Sequence, residues 1–237
     1  LAEQSRVYTQ QDLGKEKEEK KVQMKKSQTK EEELGENDHR IIGRHLDLFS
    51  FQEAGPGMVF WHDKGMALRN NLIDFWRKEH IKRNYQEINT PILLNRKLWE
   101  TSGHLKHYKD LMFFTEVEGM DFALKPMNCP GAILVYKNTN RSYKDLPLRL
   151  SELGQVIRNE LSGVLSGLFR MRVFTQDDAH IFVTPEQLIE EIDNVVDIID
   201  FFYKKFGFQY HVELSTKPEN AMGDEKIWEN AEGALKK

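Results

Sequence analysis

Apolar positions recur at helical spacing in some stretches of the chain and alternate with polar ones in others. Leu68, Leu72, Phe75 and Trp76 share a helical face, which predicts an amphipathic helix from Gly65 to Arg83. A second stripe runs through Leu188, Ile192, Val195, Val196, Ile199, Phe202, Tyr203 and Phe206. Its start is marked by Thr184 as N-cap, Pro185 in the first turn and Gln187 closing a capping box, and Gly207 stops it. Shorter helices are expected behind Asp38, through Ile41, Ile42 and Leu46, and behind Pro130-Gly131, through Ile133, Leu134 and Tyr136. A last helix is expected from Asp224 to Lys237, where the chain end cuts it off.

Alternating stretches supply the strands. After the Gly55-Pro56-Gly57 turn, Met58 to Trp61 reads as a short buried strand. Tyr85 to Leu94 alternates but holds Pro91, which confines it to an edge or an interface. Met112–Val117 and Met120–Lys125 form an expected hairpin around Glu118-Gly119. Leu148–Asn159 and Arg172–Val183 are two long strands joined by a loop, and Phe208–Leu214 is another strand. Strands outnumber crossovers and several are consecutive. The expected class is α+β, a mainly antiparallel sheet flanked by helices, with helices on one face.

Composition narrows the setting. From Lys15 to Glu36 the chain is nearly all Lys, Glu and Gln, with only Val22, Met24 and Leu34 as apolar relief. Such a segment forms either a solvated helix held by i,i+4 ion pairs or a disordered stretch, so residues 1–37 read as a charged linker or arm and 38–237 as the globular domain. No apolar run approaches the ~20 residues that span a bilayer, and Leu1 to Tyr8 lacks the pattern of a signal peptide. The single cysteine, Cys129, excludes an internal disulfide and fits a reducing, cytoplasmic setting. A net charge of −4 gives no global basic field, so an RNA partner would be held by local patches or by other parts.

The chemistry gathers on two strands and a turn. Phe174-Thr-Gln-Asp-Asp-Ala-His-Ile-Phe182 keeps two adjacent carboxylates in a strand, where they compete with the ladder and cost energy to bury, which points to a pocket lining. By alternation, Gln176, Asp178 and His180 share one face and Asp177 faces the other way. Arg158 and Glu160 end one long strand, and Arg170, Arg172 and Phe174 open the next. Guanidinium forks suit phosphate oxygens and a ring can stack on a base; the competing reading is a hairpin with surface arginines. Cys129 lies in the Lys125-Pro-Met-Asn-Cys-Pro-Gly131 turn at a helix start, where the helix N-terminus is expected to lower the thiol pKa. Cys129 and His180 are soft ligands of the kind zinc accepts, although their spacing alone is a weak signal.

These runs, in order, resemble the threonyl-tRNA synthetases. Further matches are Asp38-His-Arg40, Pro56-Gly-Met-Val-Phe-Trp-His62, Leu98-Trp-Glu-Thr-Ser-Gly-His104, Asp145-Leu-Pro-Leu-Arg149 and Leu214-Ser-Thr-Lys-Pro218, so the resemblance covers residues 38–237. It implies a class II synthetase catalytic domain. Tyr85 to Pro91 would be its first motif, at a homodimer interface around Pro91, and Arg158 to Phe174 its second. By position, Arg158 would contact the α-phosphate of ATP, Glu160 the adenine amino group and Arg170 the outer phosphates, with Phe174 stacked on adenine. Met127, Gln176 and Asp178 fall on threonine-pocket positions, with Asp178 on the side-chain hydroxyl. Cys129 and His180 match two of three ligands of a Zn²⁺ that takes the threonine amine and hydroxyl and so rejects valine. His104 matches a histidine near the terminal ribose of tRNA, suited to proton transfer.

Departures are Ala132, where a histidine is common after the Cys-Pro-Gly turn, and Val173, where glycine is frequent. The third zinc ligand, the third class motif and the anticodon-binding domain are expected beyond Lys237. The resemblance therefore implies the first part of a threonine–tRNA ligase core, inactive alone. The whole enzyme would join threonine to tRNA(Thr) with ATP and Mg²⁺. The rivals are a truncated, non-catalytic paralogue acting as a binding module, and a related synthetase for serine or proline.

Overall fold

The computed structural model describes residues 34–219, 221 and 223–236. Most of the expected charged arm, residues 1–33, lies outside that range. The chain divides into two compact units: residues up to 71 together with 161–171, and residues 72–160 together with 172–237.

In the first unit, α1 (His39–His45) starts behind Asp38, whose carboxylate accepts from the Arg40 backbone N–H at 2.8 Å and from its guanidinium. That guanidinium holds the Asp38 carboxyl well below the usual carboxylate range. A hairpin follows, β1 (Phe49–Phe51) against β2 (Val59–Trp61). Periodicity predicted only β2; β1 is three residues long, too short to alternate visibly. Nor is β2 buried throughout, because Phe60 of this two-stranded sheet is 44% exposed. His62 pins the hairpin base, its ring nitrogens 2.9 Å from Ser50 Oγ and 2.7 Å from Asp47 Oδ1. The 161–171 loop docks on α1, where His39 Nε2 accepts from the Leu168 N–H at 2.8 Å and meets Phe169 edge-on.

Helix α2 (Asp63–Lys82) runs on into the second unit, within two residues of the periodicity at each end. There the expected strand from Tyr85 to Leu94 is two strands. β3 (Gln86–Glu87) lies parallel to β7 (Leu148–Ile157), and β4 (Leu93–Asn95) lies antiparallel to β6 (Met120–Leu124). Pro91, with no N–H to donate, stands between them, and the chain passes there from one sheet to the other. The β4 sheet is completed by β5 (Phe114–Val117), joined to β6 through Glu118 at φ 54° and Gly119 at φ 76°. Two successive positive φ values are what a two-residue hairpin loop of matching twist demands. Between β4 and β5 lie α3 (Arg96–Thr101) and α4 (His104–Tyr108), and buried Trp99, Met112 and Ala123 form a core cluster beneath them.

The other sheet is β3-β7-β8, with β8 (Val173–Phe182) paired antiparallel to β7 over ten residues. Its two faces differ. On one lie α2 and α6 (Leu188–Phe206), tied down by the forked ion pair of Arg149 with Glu191 and by Phe75 packed edge-on to Phe202. On the other lies α5 (Cys129–Lys137), whose Tyr136 stacks on Phe182 at 4.0 Å. Helices therefore flank this sheet on both sides rather than one. The α+β class holds, with the strands among the described residues shared among three sheets of two, three and three strands. The start of α6 follows expectation: Gln187 Oε1 accepts from the Thr184 N–H at 3.0 Å.

Phe208–Leu214 is not a strand. Among the described residues no strand pairs with it, and a lone extended segment has no ladder to satisfy its backbone groups. Helix α7 (Glu225–Leu235) is capped by Asp224, which accepts from the Lys226 N–H at 2.8 Å.

One prediction follows from the β5–β6 turn. Glu118 sits in the left-handed region at φ 54°, where Asn is favoured over Glu. Glu118→Asn should stabilise the protein by about 0.5–1 kcal/mol, read as a higher urea midpoint with unchanged slope.

Candidate active site

The site face is the side of β7–β8 turned toward α5. Residues directly opposite in an antiparallel ladder project to the same side. The pairs Val156–Phe174, Gly154–Gln176, Glu152–Asp178 and Leu150–His180 therefore line one surface. Asp177 lies on the other. Its Oδ1 is 3.5 Å from His80 Nε2 on α2, and burial pushes its carboxyl above the usual range. That side holds an apolar cavity of about 630 Å³ between α2 and α6, lined by Leu72, Phe75, Trp76 and Phe202, with Asp177 as its acidic group.

The Lys125–Cys129 turn is laid over the polar surface by a buried knot. Lys125 Nζ lies 2.9 Å from Glu152 Oε1 and 2.9 Å from Thr90 Oγ1, and both charged side chains are 2% exposed. Glu152 Oε1 also accepts from the Thr90 N–H at 2.8 Å. The Lys125 backbone repeats the link, its N–H donating to Ile92 O at 2.8 Å and its carbonyl accepting from Ile157 N–H at 2.9 Å. One residue thus joins the two three-stranded sheets.

From there the turn places its side chains in sequence. Pro126 O accepts from Arg158 Nε at 3.1 Å, and the guanidinium stands 5.1 Å from the Phe174 ring centre. Met127 Sδ is 3.2 Å from His104 Nε2, while His104 Nδ1 is 2.9 Å from Ser102 Oγ. Burial lowers the His104 pKa below the ordinary histidine value, which favours the neutral ring. Asn128, fully buried, donates through Nδ2 to Asp178 Oδ2 at 2.9 Å and to Gln176 Oε1 at 3.4 Å. Cys129 is half-buried in the first turn of α5. Its thiol pKa is raised, by burial first and by the charge of Asp178 second. This overturns the expected lowering: desolvation of the thiolate and a neighbouring carboxylate outweigh the helix terminus of a nine-residue helix.

The fold thus brings Arg158 and Phe174 together, His104 and Met127 together, and Gln176, Asp178 and Asn128 together. Glu160 is buried just past β7, and its carbonyl accepts from Arg172 Nε at 2.9 Å. Arg170 belongs to the other unit, where its backbone pairs with Ser166 in a small bridge. Cys129 and His180 are donor types that zinc accepts, but among the described residues no three His, Cys, Asp or Glu side chains stand close enough to hold a metal. Two donors match the ion in chemistry and fall one short of the expected set.

Sequence reasoning passed over Asn128, Gly154 and the Lys125–Glu152–Thr90 knot. Gly154 carried a legible signal, since a glycine inside a strand marks close backbone approach. A Cβ there would lie 2.1 Å from Asn128 Nδ2.

Residues 113–230 match the family model of the tRNA synthetase class II core domain (G, H, P, S and T). The chain belongs to the class II tRNA synthetases. Within them it belongs to the threonyl-tRNA synthetase family. It is 64% identical over 204 residues to the threonine–tRNA ligase of Caldanaerobacter subterraneus subsp. tengcongensis, covering 86% of this chain and 32% of that protein. The corresponding ligase of Carboxydothermus hydrogenoformans is 61% identical over 205 residues, covering 86% and 32%. The crystal structure of the RNA binding domain of threonyl-tRNA synthetase from Cryptosporidium parvum Iowa II superposes with a TM-score of 0.80 at 47% identity, covering 84% of this chain and 50% of that one. The chain spans about a third of the length of the curated relatives it matches. No described helix is long and apolar enough to cross a membrane.

The knot should govern stability. Lys125→Met leaves Glu152 buried without its cation and should cost about 3–5 kcal/mol in urea unfolding. Lys125→Met with Glu152→Leu should recover part of that loss, because no charge is then stranded.

Proposed function

We propose that this chain is part of the catalytic domain of a threonine–tRNA ligase, residues 38–237 carrying the chemistry and 1–37 serving as a linker or arm. The full-length protein would activate L-threonine with ATP and Mg²⁺ to threonyl-adenylate and pass threonine to tRNA(Thr) in the cytoplasm. The observation that carries this reading is the shared face of β8, where Phe174, Gln176, Asp178 and His180 stand in line beside the Arg158 guanidinium. A guanidinium beside a ring suits an adenylate, whose phosphate needs a fork and whose base needs a flat surface.

Each side chain then has a task. Arg158 neutralises charge on the α-phosphate, Glu160 accepts from the adenine amino group, Phe174 stacks on the base and Arg170 holds the outer phosphates. Met127, Gln176 and Asp178 bound the threonine pocket, with Asp178 accepting from the substrate hydroxyl. His104, held neutral by burial, is suited to accept a proton near the tRNA terminal ribose. Cys129 and His180 would hold zinc, with a third donor from outside the described residues. Bound there, the ion would take the threonine amine and hydroxyl and so select against valine. Activation itself rests on positioning and on neutralising phosphate charge. The homodimer contact would run along the Pro91 region, where Ile92 and Leu93 are exposed.

Threonine-dependent ATP–pyrophosphate exchange by the full-length protein tests the reading, and exchange driven by serine or proline instead would refute it. Asp178→Asn should lower kcat/KM for threonine by the worth of a buried hydroxyl contact, about 1–3 kcal/mol, and narrow the threonine–valine gap. Asp177→Asn, on the helix side, should leave that gap unchanged. Steady-state exchange kinetics with both amino acids decides between them.

Zinc content is a separate measure. Elemental analysis should find one zinc per chain in the full-length protein and a large loss in Cys129→Ser and in His180→Ala, because affinity depends on a complete ligand set.

A further inference from the structure

We infer that Asn128 is the positioning residue of the amino acid pocket, setting the side-chain orientation of Asp178 and Gln176 without touching the substrate itself. The inference rests on the reading of those two residues as threonine contacts.

The geometry is specific. Asn128 is fully buried and its Nδ2 group faces two acceptors, Asp178 Oδ2 at 2.9 Å and Gln176 Oε1 at 3.4 Å. Only an amide N–H₂ supplies two donors from one nitrogen with no charge of its own. One branch bonds a carboxylate, the stronger kind of hydrogen bond, and fixes which Asp178 oxygen is left for another partner. The other branch engages the Gln176 carbonyl oxygen, which leaves the Gln176 amide nitrogen for other contacts. Acceptor and donor groups flanking a hydroxyl-bearing substrate are thereby defined by one side chain.

The fold goes to some length to seat this amide. Asn128 lies against Gly154 on β7, where a Cβ would stand 2.1 Å from Nδ2, 2.4 Å from Cγ and 2.5 Å from Oδ1. Any other residue at 154 would displace it. The Asn128 Oδ1 is buried without a hydrogen-bond partner, a cost accepted with the Nδ2 contacts in place. On its chain side the Asn128 carbonyl accepts from the Ala132 N–H at 3.1 Å, so helix α5 holds the backbone from which the amide projects. The Lys125 knot holds the turn from the other end.

A residue that merely fills space is separable from one that orients. In the full-length protein, Asn128→Ala should lower kcat/KM for threonine roughly tenfold to a hundredfold, with KM for ATP near its native value and a clearly narrowed threonine–valine ratio. Asn128→Ala with Gly154→Ala puts a methyl into the vacated space. It should regain much of the melting temperature but not the threonine–valine ratio. A native ratio in Asn128→Ala, or recovery of the ratio in the double variant, would overturn the inference and leave Asn128 a packing residue. Crystals of Asn128→Ala give a second arm independent of activity: Asp178 and Gln176 should leave their present rotamers. Unchanged rotamers would also sink the idea. If the native protein shows no threonine-dependent exchange, the functional reading fails by itself and the crystallographic arm still decides whether Asn128 orients the two side chains.

Discussion

Lys125 is where the second unit is sewn together. Its backbone bonds to Ile92 at one sheet and to Ile157 at the other, and its ammonium is buried against Glu152 and Thr90. A charge taken out of water is tolerated only when paired and hydrogen-bonded, and this pair has both. The demand is stringent because Glu152, Thr90 and Lys125 come from three segments distant in sequence. All three must arrive at their places for any one to be satisfied. The arrangement leaves little freedom to the four residues that follow, Pro126 to Cys129, of which Pro126 meets Arg158, Met127 meets His104 and Asn128 meets Gln176 and Asp178 on β8.

The same constraint explains how one strand serves two purposes. β8 presents Phe174, Gln176, Asp178 and His180 to the turn and Asp177 to the helix layer. Because strand periodicity is two, adjacent carboxylates end up in unlike surroundings. Asp178 receives the Asn128 amide beside a thiol, whereas Asp177 sits among aromatic side chains near His80. Two identical side chains one residue apart are thus given unlike surroundings by the pleat.

Electrostatics on the site face is also decided by neighbours. A helix terminus favours a thiolate, yet Cys129 is held toward the thiol by burial and by the Asp178 carboxylate. His104 is shifted for a plainer reason: it packs edge-on to Trp99 and close to Met127, and loses water.

The amphipathic helices were legible because each buries one stripe, and a stripe is a local property. The Glu118-Gly119 turn, the two long strands and the opposite facing of Asp177 and Asp178 were legible for the same reason. The ordered runs around Arg158, Cys129 and His180 also carried the family. Other features depend on partners that no local pattern names. The split of Tyr85–Leu94 between two sheets required β6 and β7 to be in place on either side of Pro91. At Phe208–Leu214 no strand among the described residues supplies a ladder, and hydrophobic alternation cannot reveal whether one will. The Cys129 shift, the Lys125 knot and the Asn128 amide over Gly154 arise from contacts between residues far apart in sequence, up to 62 positions for Thr90 and Glu152, and burial decides their energies. Sequence by itself therefore determined which chemical groups the protein carries and which way most of them face; only the tertiary structure decided which of them meet, because desolvation and hydrogen-bond satisfaction are properties of the assembled neighbourhood.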